Sequence, residues 1–206
     1  MENNTLSIFI SGDFCPIHRM ENLLSLTDLD SVFGSLLENI RSSDLAITNL
    51  ESPLTKHTIP VNKTGPALKG SPKASKFLKS AGFNLVTLAN NHIMDFGRKG
   101  LEDTIQQLKK DEVSYVGAGL SGNKALSPFY FEKNGVKIAI INVSENEWST
   151  TTDDRAGANP INPVENFYQI KEAKKLVDKV IVISHGGHEM NELPSLKLVA
   201  TAGSWK

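Results

Sequence analysis

The stretch Asn84–Gly97, Asn-Leu-Val-Thr-Leu-Ala-Asn-Asn-His-Ile-Met-Asp-Phe-Gly, limits the possible architectures more than any other part of the chain. Asn84 to Ala89 is rich in apolar and β-branched residues, the pattern of a buried strand. The side chains then turn polar at Asn90, Asn91, His92 and Asp95, and a helical pattern begins after Gly97. Polar groups clustered where a strand hands over to a helix suit a site at the carboxyl edge of an α/β sheet. Asn91 offers a neutral carbonyl oxygen to a metal, and His92 an imidazole that can carry a proton near neutral pH. A polar turn whose Asn side chains cap the helix has the same composition. The other strand ends decide between the two.

Three of them end in similar chemistry. Leu6–Ser11 fills with Ile8, Phe9 and Ile10 and ends in Gly12-Asp13, where glycine permits a sharp turn and leaves a carboxylate at the edge. Cys15 and His18 follow closely enough to join such a site, although a packing or surface role suits each. Asp44–Asn49 reads as a strand running into Leu50-Glu51-Ser52-Pro53, which delivers a second carboxylate. Lys179–Ser184 is a final buried strand that ends in His185-Gly186-Gly187-His188-Glu189. Acids, Asn-His and His on four strand ends favour a metal site over four unrelated turns.

Between them the pattern is helical. Val32, Phe33, Leu36, Leu37 and Ile40 form one amphipathic stripe. Ser71-Pro72 starts a helix with Ser71 at N-cap and Pro72 at N1, closed by Gly82. Leu101, Ile105 and Leu108 mark another, ending in Lys109-Lys110. Asn162-Pro163 opens the last, with Phe167, Ile170, Leu176 and Val177. This alternation implies βαβ units and a largely parallel sheet. Phe129–Glu132 and Val136–Val143 flank an Asn134-Gly135 turn and read as a hairpin. Ser114–Gly119 is a short strand and glycine turn, too slight for a phosphate loop. Thr55–Gly70 has no period and reads as a loop over the site, where Lys56, His57, Lys63 and Lys69 can meet an anionic substrate or each stand as a solvated basic group. Ser144–Asn159 reads as a lid or a flexible connection.

With 22 basic and 23 acidic residues the net charge is −1, which gives no reason to expect nucleic acid or an anionic membrane as a partner. A single cysteine precludes an internal disulfide and suits a reducing compartment. The amino terminus lacks the features of a signal peptide, and no apolar run approaches a transmembrane segment, so the expectation is a cytoplasmic protein of one domain, residues 1–206.

Gly12-Asp13, Asn49-Leu50-Glu51, Ala89-Asn90-Asn91-His92 with Asp95-Phe96-Gly97, and His185-x-Gly187-x-Glu189 form an ordered set that resembles the CapA family. These poly-γ-glutamate and capsule synthesis proteins are similar to calcineurin-like metallophosphoesterases. The resemblance runs from about Ser7 to about Pro194. It implies a layered α/β metallophosphoesterase-like sandwich with a mostly parallel sheet and a site at the carboxyl edges. It also implies two divalent metal ions, of Mn, Fe or Zn. Asp13 and Glu51 would be ligands, with Glu51 suited to bridging. Asn91 and His185 would serve the second ion, and His92 would act on the substrate as electrophile or general acid.

The implied activity is metal-dependent hydrolysis or transfer at a phosphoryl or acyl centre, in the synthesis of an anionic polymer or surface polysaccharide. The implied partners are an anionic polymer or a phosphorylated small molecule, and a polymer-synthase complex. The alternative is a non-catalytic accessory or scaffold protein, or an inactive truncated product. The chain departs from the family at Phe14-Cys15, where an Asp-x-His pattern is usual in the wider phosphoesterases, and at Gly186, where Trp is common. The segment 195–206 is divergent and lacks a histidine-rich Gly-His-His-Pro-His-like motif. A missing carboxyl-terminal part is therefore expected, leaving part of the sheet unpaired and the protein less stable than a complete relative.

Overall fold

Alternation of buried side chains along the strands sorts the chain into four layers. The computed structural model describes residues 5–187 apart from Thr27 and Asp153; the divergent tail, His188 and Glu189 lie outside the described residues. In chain order, β1 (Ile8–Phe14) is followed by α1 (Arg19–Leu26), α2 (Leu29–Phe33) and α3 (Leu36–Ser42). Next come β2 (Leu45–Leu50), α4 (Lys73–Ala81), β3 (Leu85–Thr87), α5 (Gly97–Lys110) and β4 (Ser114–Val116). Strands β1 to β4 form a parallel sheet in sequence order. The remaining elements are β5 (Ala118–Gly119), α6 (Gly122–Ala125), β6 (Phe129–Lys133), β7 (Val136–Ser144), β8 (Gly157–Ala158), α7 (Pro163–Ala173) and β9 (Lys179–His185). A second sheet has the order β6-β7-β9, antiparallel then parallel, and β5 pairs with β8.

On β2, Leu45 and Ile47 face the second sheet and meet Ile138 and Ile140 of β7, while Ala46 between them faces Leu37, Ile40 and Leu78 of the helical layer. On β7 the same alternation turns Ala139, Ile141 and Val143 toward Ile170 and Ala173 of α7. The order is helix, sheet, sheet, helix. The expected α/β sandwich is present, with its carboxyl strand ends gathered on one edge. No helix among the described residues is long and apolar enough to cross a membrane.

Several boundaries differ from the sequence reading. The stripe from Val32 to Ile40 is two helices, because Gly34 adopts φ +50° and breaks the run between Phe33 and Leu36. Helix α4 starts at Lys73, one residue after the expected Pro72, since the Ser71 hydroxyl accepts from Lys73 N–H and the Ser71 carbonyl from Ala74 N–H. Helix α7 ends at Ala173, short of Leu176 and Val177. The described part of segment 144–159 is anchored: Ser149, Thr150 and Thr151 are buried, and the Ser149 hydroxyl donates to the Asn90 carbonyl. The hairpin turn is as read, with Asn134 and Gly135 at φ +52° and +74°.

Asp44 fastens the start of β2 to its neighbours. Its carboxylate accepts from Ser7 N–H and the Ser7 hydroxyl, each at 2.8 Å, and pairs with Lys133 at 2.7 Å. The Lys133 ammonium, then the two Ser7 donors, hold this carboxyl down to about 2. An unfolded aspartate titrates at about 3.9. The stabilisation is therefore complete above about pH 4 and disappears as the pH falls toward 2. In urea melts, the midpoint gap between wild type and Asp44→Asn is expected to be constant from about pH 7 to 5 and to narrow below about 4. A gap that widens on acidification would contradict this.

Candidate metal centre

A one-residue bulge prepares the first side chain. Ile10 pairs with Ile47, but the next registered pair is Asp13 with Asn49, so β1 carries one residue more than β2 across this interval. Bulges re-aim side chains beside functional sites. Asp13 points from the strand end with half its side chain exposed. Glu51 follows β2 directly, Asn91 follows β3 after Leu88-Ala89-Asn90, and His185 ends β9. Three of these positions belong to the first sheet and one to the second.

The four side chains meet. His185 Nε2 lies 3.2 Å from Asn91 Oδ1 and 3.8 Å from Glu51 Oε1, and His185 Nδ1 lies 3.7 Å from Asp13 Oδ1. One donor atom each from Asp13, Glu51 and His185 falls within 4.8 Å of the others. Donors about 2.0–2.2 Å from a shared ion are at most roughly 4.4 Å apart, so only a small contraction separates this cluster from a chelating one. Two carboxylates, an amide oxygen and an imidazole suit a divalent cation of hard to borderline character. The donor set fits.

The charged groups of the cluster act on one another. Hydrogen bonding to His185 is the main cause of a lowered Asp13 carboxyl; burial opposes it and Asn49 assists it. Burial of His185 disfavours its cation, but the adjoining Asp13, then Glu51 and Glu147, outweigh burial and raise its pKa. Cys15 stays a thiol, pushed up to about 11 by burial and by the charges of Glu51, Asp13 and Asp95. Its Sγ lies 3.7 Å from the Glu51 carbonyl oxygen, while His18 is exposed.

Asn49 holds the cluster in place. Its Nδ2 donates to Asp13 at 2.7 Å and lies 3.3 Å from His185 Nδ1. Its Oδ1 accepts from Thr87 and Asn90, and Asn90 in turn holds Leu50 O and His92 N. The sequence motif includes Asn49 beside Glu51 without revealing its task. An amide closing the strand read as Asp44–Asn49 was the available signal.

His92 is set apart from the donor cluster. Its Nδ1 donates to Asp95 Oδ2 at 2.8 Å, which leaves Nε2 as the nitrogen available to a ligand. Asp95 is fully buried, and its carboxylate also takes Leu68 N–H at 2.6 Å and the Lys63 ammonium at 2.6 Å. The Asp95 carbonyl accepts from Val61 N–H. Asp95 thus pins the long loop at residues 61, 63 and 68 while fixing the His92 ring. Lys69 is also committed, to the His57 carbonyl at 2.7 Å and to the face of Phe96. These two lysines therefore serve the loop's own structure. The loop, His92 and Trp148 enclose a cleft of about 600 Å³ with Asn91 and Glu147 in its wall.

Gly186, the position at which the family resemblance calls for Trp, has its side-chain space filled. A Cβ there would collide with the Glu145 side chain.

Comparison with known proteins bears on the family and the fold. The chain is 29% identical over 210 residues to the capsule biosynthesis protein CapA of Bacillus anthracis, covering 98% of this chain and 51% of that one. It is 31% identical over 198 residues to the PGA biosynthesis protein CapA of Bacillus subtilis strain 168, covering 94% and 52%. The chain therefore spans about half the length of these relatives. Among solved structures, a putative 5'-nucleotidase from Staphylococcus aureus superposes with a TM-score of 0.51 at 17% identity, over 90% of this chain and 38% of that one. That likeness bears on the fold, which is metallophosphoesterase-like. The model of the bacterial capsule synthesis protein PGA_cap matches residues 7–204, and the chain belongs to that family.

Proposed function

We propose that this protein binds a divalent metal ion through Asp13, Glu51, Asn91 and His185 and promotes hydrolysis or transfer at a phosphoryl centre during synthesis of a surface polymer. The observation that carries the proposal is the meeting of these four side chains from four separate strand ends. Asp13 stands at Nδ1 of the His185 ring and Glu51 and Asn91 at Nε2, and Glu51 is the residue that would be suited to share a second ion. Metal held by these residues would supply an acidified water nucleophile and neutralise charge on the phosphoryl oxygens.

The chain's own groups do the rest. Asn49 orients Asp13 and His185. Asp95 holds the Nδ1 proton of His92, so that Nε2 presents toward the cleft and, when protonated, hands its proton to a leaving oxygen. A non-catalytic accessory role uses the same fold without the metal, and metal content separates the two readings.

The test is metal content by inductively coupled plasma mass spectrometry after incubation with Mn, Fe or Zn. Stoichiometric metal is expected in the wild type and is expected to be lost in Asp13→Ala and His185→Ala. Asn49→Ala keeps all four donors and is expected to bind about 10–100-fold more weakly. Wild-type protein that holds none of the three metals would overturn the proposal and leave the accessory role.

A further inference from the structure

The cleft beside His92 has an aromatic wall that the metal chemistry does not use. Trp148 keeps 41% of its surface exposed there, and the Lys63 ammonium stands 5.1 Å from its ring centroid. Lys63 is 8% exposed and is neutralised by Asp95 at 2.6 Å, so it stiffens the indole and leaves little positive charge for a ligand. The other polar groups lining this cleft are Asn62, Thr64, Asn91, Glu147 and His92, whose Nδ1 is held by Asp95. Glu147 also borders a second cleft of about 570 Å³, where Asn123, Asn146, Thr152 and Asn162 are joined by Glu165. The described lining of this second cleft contains no lysine or arginine.

These two clefts are poorly matched to a polyanionic chain, which needs unpaired cations along its path. They match a ring with apolar faces and a hydroxylated rim. An indole offers a flat apolar face, and amide, hydroxyl and carboxylate groups accept and donate around the edge. We propose that Trp148 is the platform of a saccharide subsite, and that the substrate is a sugar joined to a phosphate: the sugar ring lies on Trp148 and the phosphate reaches the Asp13–Glu51–Asn91–His185 cluster. The second cleft, past Glu147, takes a further sugar unit. The phosphate end of this proposal rests on the metal reading; the sugar end does not.

The chain's two tryptophans are Trp148 and Trp205, so a Trp205→Phe background makes Trp148 the sole indole reporter. Titration with a panel of hexose and N-acetylhexosamine 1-phosphates and the matching neutral methyl glycosides is expected to shift its fluorescence. In calorimetry, Trp148→Ala is expected to weaken the best of these ligands about tenfold, and Trp148→Tyr to restore most of the affinity. Metal content, measured on the same samples, stays at the wild-type level in both variants.

Three results would overturn the subsite: no ligand of the panel binds, affinity is unchanged in Trp148→Ala, or adenosine monophosphate or γ-glutamylglutamate binds more tightly than every sugar. Loss of metal binding with retained methyl glycoside binding would instead defeat the metal reading and leave the subsite standing.

Discussion

Asp95→Ala is expected to cost about 3–5 kcal/mol, the penalty for removing one partner of a buried ion pair. Lys63 would remain 8% exposed with no carboxylate beside it, Leu68 N–H would lose its acceptor, and His92 would lose its orienting partner. For a chain of this size each kcal/mol lowers the melting temperature by about 2–4 °C, so the midpoint should fall by roughly 6–20 °C. The double variant Lys63→Met with Asp95→Ala removes the stranded charge and is expected to recover a substantial part of the loss. Thermal melts followed by near-ultraviolet circular dichroism measure both. A single-variant loss below about 1 kcal/mol would mean that Asp95 is not the hub described above.

Gly117→Ala is the second large effect. Gly117 has φ +92°, and a Cβ there would fall inside van der Waals distance of the Asn142 amide. Asn142 cannot yield freely. Its Oδ1 accepts from Ala89 N–H at 2.6 Å and its Nδ2 donates to the Ile183 carbonyl at 3.1 Å, tying the first sheet to the second. A left-handed alanine costs about 1–3 kcal/mol and overpacking a further 1–3, so a loss of about 4 kcal/mol is expected, or about 8–16 °C. Gly117→Ser in the same melts should be at least as damaging. If either variant folds with wild-type stability, the loop at Gly117 relaxes in a way that the close approach to Asn142 argues against.

The legible part of this protein was the set of strand ends. Asp13, Glu51, Asn91 and His185 could each be placed because a buried apolar run stops where polar chemistry starts, and a parallel sheet puts all such points on one edge. What sequence could not supply was how the supporting residues are employed. Lys63 looks like a solvated loop cation until the fold carries Asp95 underneath it. Asn49 is only the last residue of the strand read as Asp44–Asn49 until the fold brings Asp13 and His185 to its amide. The bulge in β1 is likewise a matter of register between strands, invisible in either strand alone. Gly34 is the opposite case. Its helix-breaking tendency was present in the sequence, and the apolar stripe on both sides of it concealed the break.

The placement of His185 on one sheet and its companions on the other sets an order in time. His185 touches Asn91 across 94 residues of chain and Asn49 across 136. Contacts of such separation form after local helices and neighbouring strands, because closing long loops is entropically slow to be rewarded. The cluster should therefore be absent from the folding transition state and present only in the finished protein. A ligand that binds it would then act almost wholly on the unfolding arm of a chevron plot, lengthening the life of the native state while leaving the refolding rate unchanged.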